Sequence, residues 1–231
     1  MTEQCLILVG GRGTRLGALT DTTPKPLIPV AGRPFLDWLI ERLAGFGITE
    51  IVLLAGYLGE RFVERYEGKR IGGAALRCVI ETAPAGTGGA LASVPELAET
   101  FFMMNGDSLF DVDLAALAAL PAEGDWLGKL ALRRLEDTSR SGLVTVEGER
   151  IVGFAERGGA HPGLINGGVY LLRRAILDHV GPPPCSIERD VFPGLAEQGR
   201  LWGKAFDGYF IDIGVPADLA RAQTEIPGRN R

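Results

Sequence analysis

The stretch Cys5-Leu6-Ile7-Leu8-Val9-Gly10-Gly11-Arg12-Gly13-Thr14-Arg15-Leu16-Gly17 decides the fold class. Cys5–Gly10 is an unbroken apolar run of strand length that stops abruptly in a glycine cluster. Such a run reads as a strand buried on both faces, the kind found in parallel sheets covered by helices. In open sheets of that class ligands sit beyond the carboxyl ends of the strands, where consecutive glycines let backbone N–H groups close on an anion. Gly10–Gly13 therefore reads as a phosphate loop, with a plain turn as the alternative. The dinucleotide fingerprint G-x-G-x-x-G fails in register, because counting from Gly11 and Gly13 the third glycine falls on Leu16. Walker A fails as well: Gly68-Lys69 is followed by Arg70, and Val63 stands where the first glycine belongs.

Working outward, Phe35–Phe46 carries apolar residues at helical spacing and is stopped by Gly47, and Ile51–Ala55 is again a strand. Glu60–Glu67 reads as helix, Leu76–Glu81 as strand, Gly88–Leu97 as a short helix, Phe101–Met104 as strand and Leu114–Leu120 as helix. The alternation predicts an α/β, doubly wound, Rossmann-like sheet, largely parallel in its N-terminal half. Beyond Asp125 the runs Trp126–Leu135, Gly142–Val146 and Arg150–Ala155, with polar turns such as Glu147-Gly148-Glu149, predict an antiparallel meander that continues the sheet. Gly167–Leu172, Leu201–Phe206 and Tyr209–Ile213 read as further strands, and Ser186–Gln198 and Ala217–Thr224 as helices.

The 231 residues suit one domain, 1–231, in two halves, 1–120 and 121–231. Apolar residues make up 46% and charged residues 23%, enough for a sizeable core, and the net charge of −5 without a basic run argues against nucleic acid. Glycine is high, 33 residues, but arginine outnumbers lysine twenty to four, a bias of a GC-rich genome, so only particular glycines carry an argument. Three scattered cysteines fit a reducing cytoplasm, and no apolar stretch or leader indicates a membrane. With only His161 and His179, histidine zinc sites, Ser-His-Asp triads and Cys-His pairs are nearly excluded.

Three further segments carry chemistry. Thr22-Thr23-Pro24-Lys25-Pro26-Leu27 holds Lys25 on a loop stiffened by two prolines, suited to placing an ammonium on a reacting phosphate, although a solvated lysine in a turn is the plain alternative. Asn105-Gly106-Asp107-Ser108 follows a strand, so Asp107 stands at the same sheet edge as the glycine loop. A carboxylate facing a triphosphate needs a hard cation between them, which points to Mg²⁺; helix capping is the alternative, better served by Asp111 or Asp113. Asp212, inside Tyr209-Phe210-Ile211-Asp212-Ile213-Gly214, lies either on an edge strand's surface or against a cation.

Together, Leu8–Leu16, Pro24–Leu27, Asn105–Asp107 and Ile211–Gly214 resemble the sugar-1-phosphate nucleotidylyltransferases, the nucleoside-diphosphate-sugar pyrophosphorylases, along the whole chain. Val9 departs from the alanine usual there. The resemblance implies that Leu8, Gly10, Gly11, Gly13, Thr14 and Arg15 hold the nucleotide, and that Lys25 contacts the reacting phosphate. It further implies that Asp107 and Asp212 hold Mg²⁺, and that Glu81, Gly86 and Thr87 read base and ribose. Arg15, Lys25 and Asp107 would form the catalytic set. Asn105, Gly142, Glu156 and Asn166 match positions for the sugar phosphate, and Arg157-Gly158 stands where the family commonly shows Lys-Pro, making Arg157 the substitute anchor. No hexapeptide repeat is present, so a fused acetyltransferase β-helix is not expected.

Within the family, the segments 105–113, 163–170 and 207–214 look most like the D-glycero-α-D-manno-heptose 1-phosphate guanylyltransferases. The implied partners are an NTP, GTP by this resemblance, and a sugar 1-phosphate. Mannose 1-phosphate guanylyltransferase and N-acetylmuramate 1-phosphate uridylyltransferase share most of these motifs, while a non-catalytic nucleotide sensor, as some relatives have become, is disfavoured by the presence of Arg15, Lys25, Asp107 and Asp212 together. An NAD-binding oxidoreductase is disfavoured by the glycine register.

Overall fold

A computed structural model describes residues 2–121, 124–139, 141–156 and 159–228. The chain forms two compact units, an N-terminal unit of Thr2–Pro84, Met104–Leu109 and Tyr209–Arg231, and a central unit of Ala85–Met103 and Phe110–Gly208.

In the N-terminal unit the strands Gln4–Leu8, Glu50–Ala55 and Ala74–Ile80 lie side by side and parallel, with Gln4 opposite Glu50 and Glu50 opposite Ala75. Arg70–Ile71 closes the edge antiparallel. Cys5, Leu6, Ile7 and Ile51–Leu53 are fully buried, which is why these strands read as continuous apolar runs rather than alternating ones. The helix Phe35–Gly45 buries Phe35, Leu36, Trp38, Leu39, Ile40 and Leu43, the spacing of one helical face. It ends at Gly47, whose φ of 85° is open to glycine and lets the Ile48 N–H turn back to the Leu43 carbonyl at 3.2 Å. The helix Gly59–Tyr66 packs against the Ala74–Ile80 strand. Buried Tyr66 donates its hydroxyl to Asp37 at 2.6 Å, and burial followed by the neighbouring carboxylate pushes that phenol's pKa up.

In the central unit the strand order is Leu143–Glu147, Arg150–Ala155, Leu201–Ala205, Gly128–Leu135, Gly163–Arg173. Gly163–Arg173 pairs antiparallel with Gly128–Leu135, while Leu201–Ala205 pairs parallel with it. The expected meander is therefore corrected: the late strand Leu201–Ala205 is inserted between two strands that are near neighbours in sequence. The expected strand Gly167–Leu172 in fact starts at Gly163, because its register shifts between Asn166 and Val169 and so hides the alternation. A side chain at Gly167 would meet the Phe110 ring at 2.5 Å, so the shift is built on glycine.

The expected helix Gly88–Leu97 spans Gly86–Ala92, and Ser186–Gln198 divides into a π-helical turn, Ile187–Val191, and an α-helix, Phe192–Glu197. Pro193 lacks the N–H that a continuous helix would require, so the helix restarts there. Asp113 caps Leu114–Ala118, accepting from Ala115 N–H at 2.9 Å and Ala116 N–H at 3.0 Å. The fold class is α/β with a mixed sheet, largely parallel in the N-terminal unit and mainly antiparallel in the central one. Among the described residues no helix is long and apolar enough to cross a membrane.

Candidate active site

The strand Gln4–Leu8 hands over to the glycine loop through backbone packing that leaves no room for a side chain at Gly10. Val9 N–H bonds Leu54 at 2.9 Å, and a Cβ on Gly10 would lie 3.0 Å from Gly56 N and 3.5 Å from a Glu81 carboxylate oxygen. Gly10, Gly56 and Glu81 thus meet at the strand ends. Gly13 adopts φ 62°, and its missing side chain faces Lys25 Cβ and Thr20 at 3.1 Å. Gly11, Thr14 and Arg15 are exposed. Leu8 contributes its carbonyl, which accepts the Gly106 N–H at 2.9 Å and so ties the Asn105-Gly106-Asp107 turn to the first strand.

Lys25 is 4% exposed, not the solvated lysine of a turn. Its ammonium donates to Asp107 Oδ2 and to Asp212 Oδ1, both at 2.8 Å. The Asp212 turn is held by Gly214 N–H donating to Asp212 Oδ1 at 2.7 Å and by Ile213 N–H donating to the Asp107 carbonyl at 3.0 Å. Around Gly214 the charged groups converge: a Cβ there would lie 2.8 Å from both Asp212 Oδ1 and Lys25 Nζ and 3.1 Å from Arg15 Nη2. Gly214, quoted above without a role, stands two residues after Asp212, and a side chain there would collide with the cluster.

Asp107 and Asp212 each keep one oxygen, Oδ1 and Oδ2, without a hydrogen bond among the described residues, and their side chains are 40% and 39% exposed. Two open carboxylate oxygens on neighbouring turns are the donor set a hard divalent cation takes alongside phosphate oxygens, so these residues fit Mg²⁺. Among the described residues no larger group of His, Cys, Asp or Glu gathers.

The remaining candidates lie in the central unit, apart from Asn105, which belongs to the N-terminal one. Gly142, Glu156 and Asn166 line a single cavity of about 510 Å³, together with Phe154, Glu188 and Arg189. That volume suits a small organic ligand. Asn166 is held from both ends, donating to Tyr170 Oη and accepting from Gly168 N–H, each at 2.9 Å. Glu188 and Arg189 were not foreseen, because a π-helical turn leaves no periodic trace in the sequence. Arg157 lies outside the described residues. Gly86 and Thr87 open the helix Gly86–Ala92, where Gly86 has φ 74° and a Cβ would collide with the Cys185 carbonyl.

Residues 4–228 match the nucleotidyl transferase family model. The chain belongs to the nucleotidyl transferase family. This nucleotidyltransferase is 35% identical over 226 residues to a D-glycero-alpha-D-manno-heptose 1-phosphate guanylyltransferase of Aneurinibacillus thermoaerophilus, covering 96% of this chain and 98% of that protein. It is 36% identical over 225 residues to the mannose-1-phosphate guanylyltransferase catalytic subunit beta of Dictyostelium discoideum, covering 94% of this chain and spanning 62% of that protein. Among solved structures it resembles HddC from Yersinia pseudotuberculosis, with a TM-score of 0.84 and 28% identity over 96% of this chain and 98% of the other. The same protein complexed with GMP-PN gives 0.82, again at 28% identity over 96% and 98%. The nucleotidyltransferase thus stands among relatives that are sugar-1-phosphate guanylyltransferases.

Proposed function

We propose that the chain, acting as one domain with a nucleotide half (1–120) and a sugar-phosphate half (121–231), transfers the guanylyl group of GTP to D-glycero-α-D-manno-heptose 1-phosphate. The observation that carries the catalytic reading is Lys25, buried between Asp107 and Asp212 beside Arg15. The substrate reading is supported by the heptose 1-phosphate guanylyltransferase relative, which the chain covers almost end to end, and the guanine by the GMP-PN complex of HddC.

A phosphate oxygen of the sugar 1-phosphate attacks the α-phosphorus of GTP, the bond from that phosphorus to the bridging oxygen breaks, and pyrophosphate leaves with the electron pair. The attacking phosphate is already an anion, so no general base is called for, consistent with a chain of two histidines. The Gly10–Gly13 backbone with Leu8, Thr14 and Arg15 holds the triphosphate, and Lys25 keeps a compact charge on the reacting phosphate. Glu81, Gly86 and Thr87 stand on the base and ribose side. Asn105, Gly142, Glu156, Asn166 and Arg157 stand on the sugar-phosphate side. Asp107 and Asp212 hold Mg²⁺, which supplies charge neutralisation on the phosphates when bound. Catalysis of this kind is positioning plus fixed charge, and losing one such contact costs roughly 10²–10³ in rate.

Mannose 1-phosphate is the second reading, favoured by the 36% identity to the Dictyostelium subunit. Pyrophosphate release measured across four NTPs, each with heptose, mannose and N-acetylmuramate 1-phosphates, separates the readings. GTP with the heptose should be fastest and GTP with mannose slower; a preference for UTP or CTP, or mannose ahead of heptose, overturns the assignment. The three cysteines are free, which supports a place in the reducing cytoplasm.

A further inference from the structure

We propose that Glu188 accepts a hydroxyl of the sugar, and that Thr87 is the positioning residue that presents it. The inference rests on reading the Gly142–Glu156–Asn166 cavity as the sugar pocket. Glu188 lines that cavity from the π-helical turn Ile187–Val191, the kind of local insertion that often marks a functional position. Its Oε2 accepts from Thr87 Oγ1 at 2.6 Å and from Ser186 Oγ at 3.0 Å, whereas Oε1 has no hydrogen bond among the described residues.

The Thr87 hydroxyl is committed on both sides. It accepts the Ile187 N–H at 2.9 Å, so its single proton points at Glu188. The two segments are also joined backbone to backbone, with Cys185 N–H donating to Ala85 and Gly88 N–H to Cys185, both at 2.8 Å. A Cβ at Gly88 would stand 3.2 Å from the Cys185 carbonyl, so the glycines of Gly86-Thr87-Gly88-Gly89 serve this close approach. Glu188 is therefore fixed through one oxygen, and the other has no hydrogen bond among the described residues.

A carboxylate only accepts, and here two of them, Glu156 and Glu188, line one cavity. Two acceptors attract hydroxyl protons, so the Glu156 and Glu188 side of the cavity suits the polyhydroxyl body of the sugar, while Arg189 is the cation lining the same cavity.

The test is steady-state kinetics with mannose 1-phosphate, D-glycero-α-D-manno-heptose 1-phosphate and monodeoxy mannose 1-phosphates, on Glu188→Gln, Thr87→Val, Thr87→Ser and, as reference, Glu156→Gln. Losing one charge-assisted bond predicts that Glu188→Gln raises KM for the sugar phosphate about 10-fold, with KM for GTP within about 2-fold. Thr87→Val should raise the sugar KM several-fold, and Thr87→Ser should restore it. For one deoxy analogue the Glu188→Gln penalty should vanish, a result that a structural role would not produce. Circular dichroism of each variant checks that the fold is kept, and Glu188→Asp replaces any variant that loses it. If Glu156→Gln raises the sugar KM while Glu188→Gln does not, the inference fails and the pocket reading survives. If neither variant moves it, both fail together.

Discussion

Lys25→Met removes the buried ammonium while keeping a side chain of similar length, so lost packing is not confounded with lost charge. Each Lys25–carboxylate pair at 2.8 Å is worth about 6 kcal/mol of gross attraction at an effective dielectric near 20. Burying an ammonium that is 5% exposed costs several kcal/mol in return, and carboxylates 40% and 39% exposed keep part of their water. The net loss on removing the cation, which leaves Asp107 and Asp212 facing each other, comes to about 2–4 kcal/mol. For a chain of this size about 3 kcal/mol corresponds to a fall in melting temperature of about 6–12 °C. Thermal unfolding followed by far-ultraviolet circular dichroism, without divalent cations, reads it directly. Adding Asp212→Asn to Lys25→Met should recover about half of the loss, since it relieves the repulsion created. A fall under about 2 °C, or no recovery in the double variant, refutes the electrostatic account of the cluster.

Other expectations are more direct. Asp107→Ala should cost at least about 10²-fold in magnesium-dependent turnover, yet lower the melting temperature less than Lys25→Met does, because Lys25 retains Asp212; unchanged turnover at saturating Mg²⁺ removes Asp107 from the metal. Gly86→Ala, at φ 74° and against the Cys185 carbonyl, should destabilise by more than about 2 kcal/mol; a melting curve matching the parent contradicts the close approach. Burial, then Glu67, pushes the Cys78 thiol up from 9.0 to about 12. Because the folded state favours the neutral thiol, its contribution to stability is full below pH 9 and declines as pH rises toward 12. Iodoacetamide at pH 9 should alkylate folded Cys78 at least about 10²-fold more slowly than the unfolded chain, and equal rates dismiss the shift.

The strands and helices of the N-terminal unit were legible because each is local: Cys5–Gly10, Phe35–Phe46 and Ile51–Ala55 announce themselves by an apolar run or a 3.6-residue period. The central unit was harder where the signal is not local. Nothing within Leu201–Phe206 tells that it inserts beside Gly128–Leu135, and the shift at Asn166–Val169 masks the start of its strand. The π-helical turn at Glu188 is invisible for the same reason, since a single extra residue per turn has no period to detect. Asp212 illustrates the limit at the site. Its apolar neighbours reduced it to two options, surface or cation, and only folding decided for Lys25, 187 residues away. Lys25 itself read equally well as a solvated turn residue, because burial is a property of what folds over it.

The Lys25–Asp107–Asp212 cluster, with Arg15 beside it, holds two positive and two negative charges, a formal net of zero. On the reading proposed above, taking up a divalent cation would bring the same pocket to +2, so its field toward a triphosphate would turn strongly attractive on loading. Cation and nucleotide then cannot bind independently. By linkage, whatever factor Mg²⁺ adds to the affinity for GTP, GTP must return to the affinity for Mg²⁺. At low magnesium the protein would hold its nucleotide weakly even with every residue in place, and its activity would follow the free magnesium concentration more steeply than a fixed, pre-charged phosphate site would allow.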